Sequence, residues 1–267
     1  MMHVLVEGVT LASGLFETLL QGSDCGPPTR LPNLSVDVFI VLFYAVIVGM
    51  INWGMRLWIV LPLARRVLIV NPLYPGAQRR SSDSKAIKMS LCFMEMLFYA
   101  TFSCMNYLIL SRETWAWPSR LWWLEFEKKD PVTGSSVHEF MTEPLAAYFL
   151  LYAGRYLQGI VSVYFEPRRK DFFQMEVHHI LTFALVGLSY FWGWSRVGFA
   201  IMLLLDPADV PLHAAKICKV FFSQSQMPFY SEFLLTPFVP VPAIHAAVHW
   251  RSEMPEKQEQ HVPGLYD

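Results

Sequence analysis

The stretch that decides the fold runs from Glu166 to Lys219 and reads EPRRKDFFQMEVHHILTFALVGLSYFWGWSRVGFAIMLLLDPADVPLHAAKICK. It contains two apolar runs, each long enough to form a helix across a membrane. A histidine pair, His178 and His179, lies at the start of the first run, and Asp206 and Asp209 lie inside the second. Ionisable groups are costly in hydrocarbon, so inside a membrane span they indicate function by default. The stretch therefore predicts two membrane helices that carry a polar site.

The composition of the whole chain agrees with a membrane protein. Of its 267 residues, 54% are hydrophobic and 16% are charged, whereas about a quarter of the residues in soluble domains are charged. The formal net charge of −1 lacks the basic excess of a nucleic-acid-binding protein. The four cysteines show no C-x-x-C spacing, which argues against a zinc site or a disulfide framework. We predict an all-α fold, a polytopic membrane bundle of about six transmembrane helices.

Five apolar segments predict the helices of this bundle, and a segment punctuated by prolines over residues 229–248 predicts a broken sixth. Basic residues crowd the loop 65–88 and the short loop at 168–170, which places both loops in the cytosol. The loop 111–143 is balanced in charge and is predicted to face the lumen. The five segments cover about residues 36–63, 87–110, 145–165, 178–194 and 197–222.

This topology brings the histidines and the acids to similar depths. His178 and His179 lie near the cytosolic mouth of the fourth span, and Asp206 and Asp209 lie near the middle of the antiparallel fifth. An imidazole beside a carboxylate forms a general base, because the acid orients the ring and stabilises the imidazolium. Alternatively, a histidine can attack an acyl donor and form a covalent intermediate. The four residues are predicted to be the catalytic site.

Further basic and polar side chains predict substrate binding. Arg168, Arg169 and Lys170 can hold the phosphates of a charged donor such as a coenzyme A thioester, although the positive-inside rule explains them equally well. Arg155 and Gln158 lie three residues apart on one face of the third span. That pair either joins helices within the bundle or belongs to a polar substrate cavity.

A metal site is the weaker interpretation of the histidines and acids. Imidazole and carboxylate ligands suit iron or zinc. However, a di-iron lipid hydroxylase needs several histidine clusters, and the other histidines of this chain are scattered, with no H-E-x-x-H motif. We therefore expect no metal ion and no resident cofactor.

The central stretch resembles the ceramide synthases of the TLC-domain superfamily. The pattern R-R-K-D-F-x-x-M-x-x-H-H-x-x-T is followed by S-Y, R-V-G, D-x-x-D and A-x-K, a set whose length and spacing make it specific. In this chain the set covers Arg168 to Thr182, Ser189-Tyr190, Arg196 to Gly198, Asp206 to Asp209, and Ala214 to Lys216.

The resemblance implies a multi-pass enzyme of the endoplasmic reticulum membrane. Such an enzyme transfers a fatty acyl group from acyl-CoA, a co-substrate, to the amine of a sphingoid base such as sphinganine. The histidine pair and the two acids are the catalytic core of that family, which corresponds here to His178, His179, Asp206 and Asp209. The partners implied are acyl-CoA, the sphingoid base and membrane lipid, with a homo- or hetero-oligomer left open and no nucleic acid.

The resemblance also predicts the domain organisation. An N-terminal region with the first transmembrane helix covers residues 1–83, and a TLC domain covers 84–250. Within that domain the catalytic core is 155–219, and the sequence diverges from the family after residue 220. A polar tail covers 251–267.

Two positions within the core depart from the animal members of the family. Leu205 stands before the first acid, where they have histidine, and His213 stands where they have glutamate. The apolar residue before the first acid is similar to the fungal branch, so we predict a fungal origin. The alternatives left open are a non-catalytic TLC-domain protein that binds or senses lipid, a specialised relative that protects against toxins mimicking sphingoid bases, and a metal-dependent lipid oxidoreductase.

Overall fold

The computed structural model describes residues 2–22, 25, 29–69, 79–116, 119–122, 137–166 and 172–222. Within these ranges the fold is all-helical, and an isolated bridge between Arg30 and Met141 is the only strand-like pairing. A π-helical segment, Arg56–Val60, joins α2 and α3 into one continuous rod. The helices are α1 (Met2–Gln21), α2 (Leu34–Met55), α3 (Leu61–Ile69), α4 (Arg79–Leu110), α5 (Glu143–Phe165), α6 (Phe172–Phe191) and α7 (Ser195–Phe222).

The helices confirm the predicted membrane bundle, with one difference at the N-terminus. The five predicted spans correspond to the α2–α3 rod and to α4, α5, α6 and α7. The sixth long helix described is α1, whereas the prediction placed a broken sixth span at 229–248, which lies outside the described residues. By length and composition, four described segments could cross a membrane: Met2–Gln21, Leu34–Val67, Asp83–Leu110 and Ser195–Val220.

Helix α5 is the central helix of the bundle. Nearly every side chain from Pro144 to Gln158 is buried. The helix packs most extensively against α2 and α6, while α4 packs along α7. A helix surrounded by other helices can carry polar side chains, because those side chains face protein rather than lipid. This explains how α5 can carry Arg155 and Gln158, both of which are buried.

The start of α5 is specified locally and tied to the end of α4. Glu143 and Pro144 stand in the first turn. An acid there interacts favourably with the helix dipole, and proline is tolerated because the N–H groups of the first turn have no partner within the helix. The Thr142 hydroxyl donates a hydrogen bond of 2.6 Å to the Glu113 carboxylate. This hydrogen bond links the segment after α4 to the first residue before α5.

Two glycines allow the close helix contacts that position the polar core. A Cβ atom at Gly154 of α5 would lie 2.8 Å from Cβ of Tyr44 on α2. A Cβ atom at Gly198 of α7 would lie 2.5 Å from Cβ of Ser189 on α6. Both distances are too short for any side chain. The second contact brings α6, with its histidines, against α7, with its acids.

A buried ionic cluster joins three helices at the end of the bundle where α5 begins. The fully buried carboxylate of Asp37 on α2 accepts hydrogen bonds from Arg30 Nη2 at 2.7 Å and from the Tyr190 hydroxyl of α6 at 2.9 Å. The backbone amide of Asn33 donates to the same carboxylate at 2.7 Å. Arg30 also forms an ion pair with Glu7 of α1 at 2.9 Å. The cluster therefore holds α1 against α2 and α6.

The variant Tyr190→Phe tests this cluster. A buried hydrogen bond to a charged group contributes about 1.5 to 3 kcal/mol, so we expect a clear fall in the unfolding temperature of the detergent-purified protein. Tyr107→Phe is the matched control, because the Tyr107 side chain is 63% exposed and its change should leave that temperature unaltered. Equal unfolding temperatures for the two variants would contradict a stabilising role of the cluster.

Candidate active site

Three helices enclose a small cavity that contains most of the predicted catalytic groups. Its volume is about 50 Å³. Helix α6 contributes His178, and α7 contributes Asp206 and Asp209. Helix α5 contributes Tyr152 and Tyr156. Three of the four residues predicted to be catalytic therefore meet at one place, although they are 28 or more positions apart between the two helices.

The carboxylate of Asp206 is held by a tyrosine. Asp206 is 3% exposed, and its Oδ1 accepts a hydrogen bond of 2.6 Å from the hydroxyl of Tyr152. The other oxygen, Oδ2, is buried and has no hydrogen-bond partner among the described residues. The hydroxyl of Tyr156 lies 3.4 Å from that of Tyr152. The sequence predicted a carboxylate that orients an imidazole, and at Asp206 the structure places a phenol instead.

The second acid, Asp209, is only partly buried and has a different environment. It lines the same cavity as His178, and no side chain among the described residues donates a hydrogen bond to it. Asp209 is thus the acid that remains available to the histidine of the cavity. The two acids, three residues apart in sequence, have different environments.

The two histidines occupy unequal positions. His178 is exposed and lines the cavity. His179 is 2% exposed and packs on α5, where a Cβ atom at Gly159 would lie 3.3 Å from its Nδ1. The ring of Tyr156 is within contact of both, with centroid distances of 6.1 Å to His178 and 5.6 Å to His179. His178 is therefore the histidine that a substrate in the cavity can reach.

A buried ion pair lies beside the cavity. Arg155 of α5, 4% exposed, pairs with Glu95 of α4, and its guanidinium lies 4.7 Å from the centroid of the Phe98 ring. Arg155 Nη1 also donates to Gln158 Oε1 at 3.4 Å. Arg155 shares a second hollow of about 10 Å³ with Asp206. The pair joins α4 to α5 next to the site, and the predicted role of Arg155 in substrate binding remains a prediction.

The remaining residues predicted to bind substrate, Arg168, Arg169 and Lys170, lie outside the described residues. The last residue described before them is Glu166, which forms an ion pair of 3.5 Å with Arg56 in the π-helical segment. This pair holds the end of α5 to the α2–α3 rod.

Three residues of the site were missed by the sequence analysis. Tyr152 and Tyr156 lie in an apolar run, where tyrosine is usually a core residue. Their spacing of four places them on one helical face, which Arg155 and Gln158 flank, and that pattern could have revealed a polar stripe. Glu95 is an acid inside the second predicted span, so the rule that identified Asp206 should also have identified it.

The described residues include no group of three or more His, Cys, Asp or Glu side chains arranged to hold a metal ion. The absence of a metal and of a resident cofactor stays a prediction.

Comparison with known proteins assigns the chain to one protein family. The sequence profile of the TLC domain (TRAM, LAG1 and CLN8) matches residues 88–241, more than half of the chain. The chain is 31% identical over 138 residues to ASC1-like protein 3 of Oryza sativa subsp. japonica, an alignment covering 51% of this chain and 45% of the rice protein.

Two further relatives have names that state an enzymatic activity. The chain is 27% identical over 183 residues to ceramide synthase 4 of Mus musculus, covering 64% of this chain and 44% of the mouse protein. It is 41% identical over 80 residues to sphingosine N-acyltransferase lag1 of Schizosaccharomyces pombe, covering 30% of this chain and 20% of the yeast protein. The matched stretches thus span less than half the length of each of these three relatives.

Proposed function

Since the chain belongs to the TLC-domain family and is similar to proteins named ceramide synthase and sphingosine N-acyltransferase, we propose that it is a sphingoid-base N-acyltransferase. Its substrates are an acyl-CoA and sphinganine or a related base, and it acts in the endoplasmic reticulum membrane. The observation that carries the proposal is the cavity shared by His178, Asp206 and Asp209. A base and two acids at one buried place can bind a cationic amine and take a proton from it.

The proposed chemistry is the exchange of a thioester for an amide. The amine nitrogen of the sphingoid base attacks the thioester carbonyl carbon, so a C–N bond forms and the C–S bond breaks. The substrate enters as an ammonium ion and loses two protons during the reaction. One proton leaves on the thiol of coenzyme A, and the other is released to water.

The chain supplies side chains for three requirements of this reaction: removal of a proton, stabilisation of the imidazolium and binding of the donor phosphates. His178, which lines the cavity, accepts the proton from nitrogen. Asp209, which lines the same cavity, stabilises the imidazolium that results. A general base of this kind contributes about 100- to 10,000-fold to a rate. Arg168, Arg169 and Lys170 then bind the phosphates of acyl-CoA from the cytosol.

The test is conversion of sphinganine and a labelled long-chain acyl-CoA to dihydroceramide. The full chain would be expressed in cells that lack their own synthase, and isolated membranes would be assayed beside the double variant His178→Ala, His179→Ala. We expect product from the wild-type chain and none from the double variant. Well-expressed wild-type protein that makes no amide from sphinganine would overturn the proposal and favour lipid binding or sensing.

A further inference from the structure

We propose that Asp206, held in place by Tyr152, is the site that binds the ammonium group of the sphingoid base. This inference rests on the proposed function, because it names the substrate that the site receives. It gives the two acids of the D-x-x-D motif separate tasks: Asp206 binds the amine, and Asp209 acts with His178. Tyr152 is a positioning residue, since it acts on the substrate through Asp206.

The first observation is the incomplete hydrogen bonding of Asp206. Oδ1 is occupied by the hydroxyl of Tyr152 at 2.6 Å, while Oδ2 is buried without a partner among the described residues. A buried carboxylate oxygen with no donor is costly, and the cost disappears when a donor arrives. Because Asp206 lines the cavity, a ligand in the cavity can supply that donor. An ammonium group supplies three N–H donors and a positive charge.

The second observation is that the nearest cation is already occupied. Arg155 shares a small hollow with Asp206, but its guanidinium is paired with Glu95 and donates to Gln158. Among the described residues, no ion pair is formed with Asp206. A cationic ligand in the cavity can therefore become the counter-ion of this carboxylate.

The third observation is the rigidity of Tyr152. Its ring is 2% exposed and lies between Tyr148, Tyr156 and Phe102, at centroid distances of 5.6, 4.9 and 5.5 Å. A ring packed on three sides cannot turn away, so its hydroxyl holds one oxygen of Asp206 at a constant place. The oxygen that remains is thereby kept available to the ligand. A preorganised acceptor of this kind binds more tightly than one that must be ordered on binding.

The experiment measures equilibrium binding of labelled N,N-dimethylsphinganine to the purified full chain. This probe keeps the positive charge and one N–H donor of the ammonium group and cannot form a neutral amide, so its binding is independent of turnover. We expect Tyr152→Phe to weaken binding about 3- to 10-fold, because the carboxylate of Asp206 must then be ordered when the amine binds. N-acetylsphinganine, which has no positive charge, should bind both proteins equally.

Tyr148→Phe is the matched control. Tyr148 lies one turn earlier on α5 and is fully buried, and its hydroxyl donates to the carbonyl oxygen of Phe102 at 3.2 Å. Like Tyr152→Phe, this variant removes one hydroxyl oxygen from the aromatic cluster, so its unfolding temperature shows how much stability is lost with a hydroxyl alone. Its affinity for the probe should stay within about twofold of the wild type.

The outcomes separate this inference from the proposed function. Weakened probe binding in Tyr152→Phe alone supports an amine site at Asp206, whether or not the wild-type chain forms dihydroceramide. Equal probe binding by Tyr152→Phe and Tyr148→Phe, or no binding by the wild type, overturns it. In an active wild-type chain the same variant should raise KM for sphinganine and leave KM for acyl-CoA unchanged. A fall in kcat with both KM values unchanged would also overturn it.

Discussion

Replacement of His178 by alanine should lower the rate of acyl transfer by about 100- to 10,000-fold, the usual contribution of a general base. The same change should leave the unfolding temperature of the protein nearly unaltered. His178 is exposed and lines the cavity, so removing its ring leaves no void in a packed core. The measurement is kcat for dihydroceramide formation together with thermal unfolding of the purified protein.

His179→Ala provides the comparison within the same pair. The imidazole of His179 is 2% exposed and packs beside Gly159 and Tyr156 on α5. Its removal opens a void between α5 and α6, which we expect to cost about 2 to 4 kcal/mol. His179→Ala should therefore lower both the rate and the unfolding temperature. Replacement of the two adjacent histidines should therefore have different effects: His178→Ala lowers the rate alone, and His179→Ala lowers both the rate and the unfolding temperature.

Two results would contradict this assignment. Turnover close to that of the wild type in His178→Ala would show that the base is elsewhere. A fall in unfolding temperature in His178→Ala as large as that in His179→Ala would indicate a structural role for both rings. In either case the cavity between α5, α6 and α7 would need another explanation.

The helices could be predicted from sequence wherever hydropathy determines the structure. The α2–α3 rod contains the most apolar of the candidate membrane segments, and it was predicted. The end of α4 at Leu110 was predicted as well, but the helix starts at Arg79, before the predicted start at residue 87. Helix α1 was not predicted as a member of the bundle, although its length and composition would allow a membrane span. Its place in the bundle rests on packing against α5 and α2 and on the long-range ion pair between Glu7 and Arg30. No local pattern in residues 2–21 indicates the ion pair with Arg30.

The candidate site could be predicted in its ionisable members and not in their pairing. His178, Asp206 and Asp209 are conspicuous because charges are rare inside apolar runs. The partner of Asp206 could not be predicted, since it depends on how α5 is rotated against α7. A tyrosine in an apolar run gives no signal of this kind, and Tyr152 became visible only through its hydrogen bond of 2.6 Å.

Loss of one partner of the Glu95–Arg155 pair should destabilise the protein strongly. Both side chains are buried, at 7% and 4% exposure, so Arg155→Met leaves the charge of Glu95 without a counter-ion in the bundle. Breaking a buried pair in this way costs about 3 to 5 kcal/mol. The measurement is thermal or denaturant unfolding in detergent. We expect Glu95→Gln to be destabilising as well.

The matched control is an ion pair of similar geometry on the surface. Arg65 and Asp83 lie 2.7 Å apart, with side chains 45% and 49% exposed. Solvent screens such a pair, so Asp83→Asn should change stability by less than about 1 kcal/mol. If Asp83→Asn destabilised the protein as much as Arg155→Met, burial would not determine how much an ion pair contributes to stability.

The double variant Glu95→Gln, Arg155→Met decides between the two interpretations of Arg155. Replacement of both partners removes the uncompensated charge, so the double variant should be much more stable than Arg155→Met alone. If Arg155 serves helix packing, acyl transfer should recover together with stability. If Arg155 binds substrate, the double variant should fold well and still have a raised KM. We expect recovery of activity, because the guanidinium of Arg155 is already occupied by Glu95, Gln158 and the ring of Phe98.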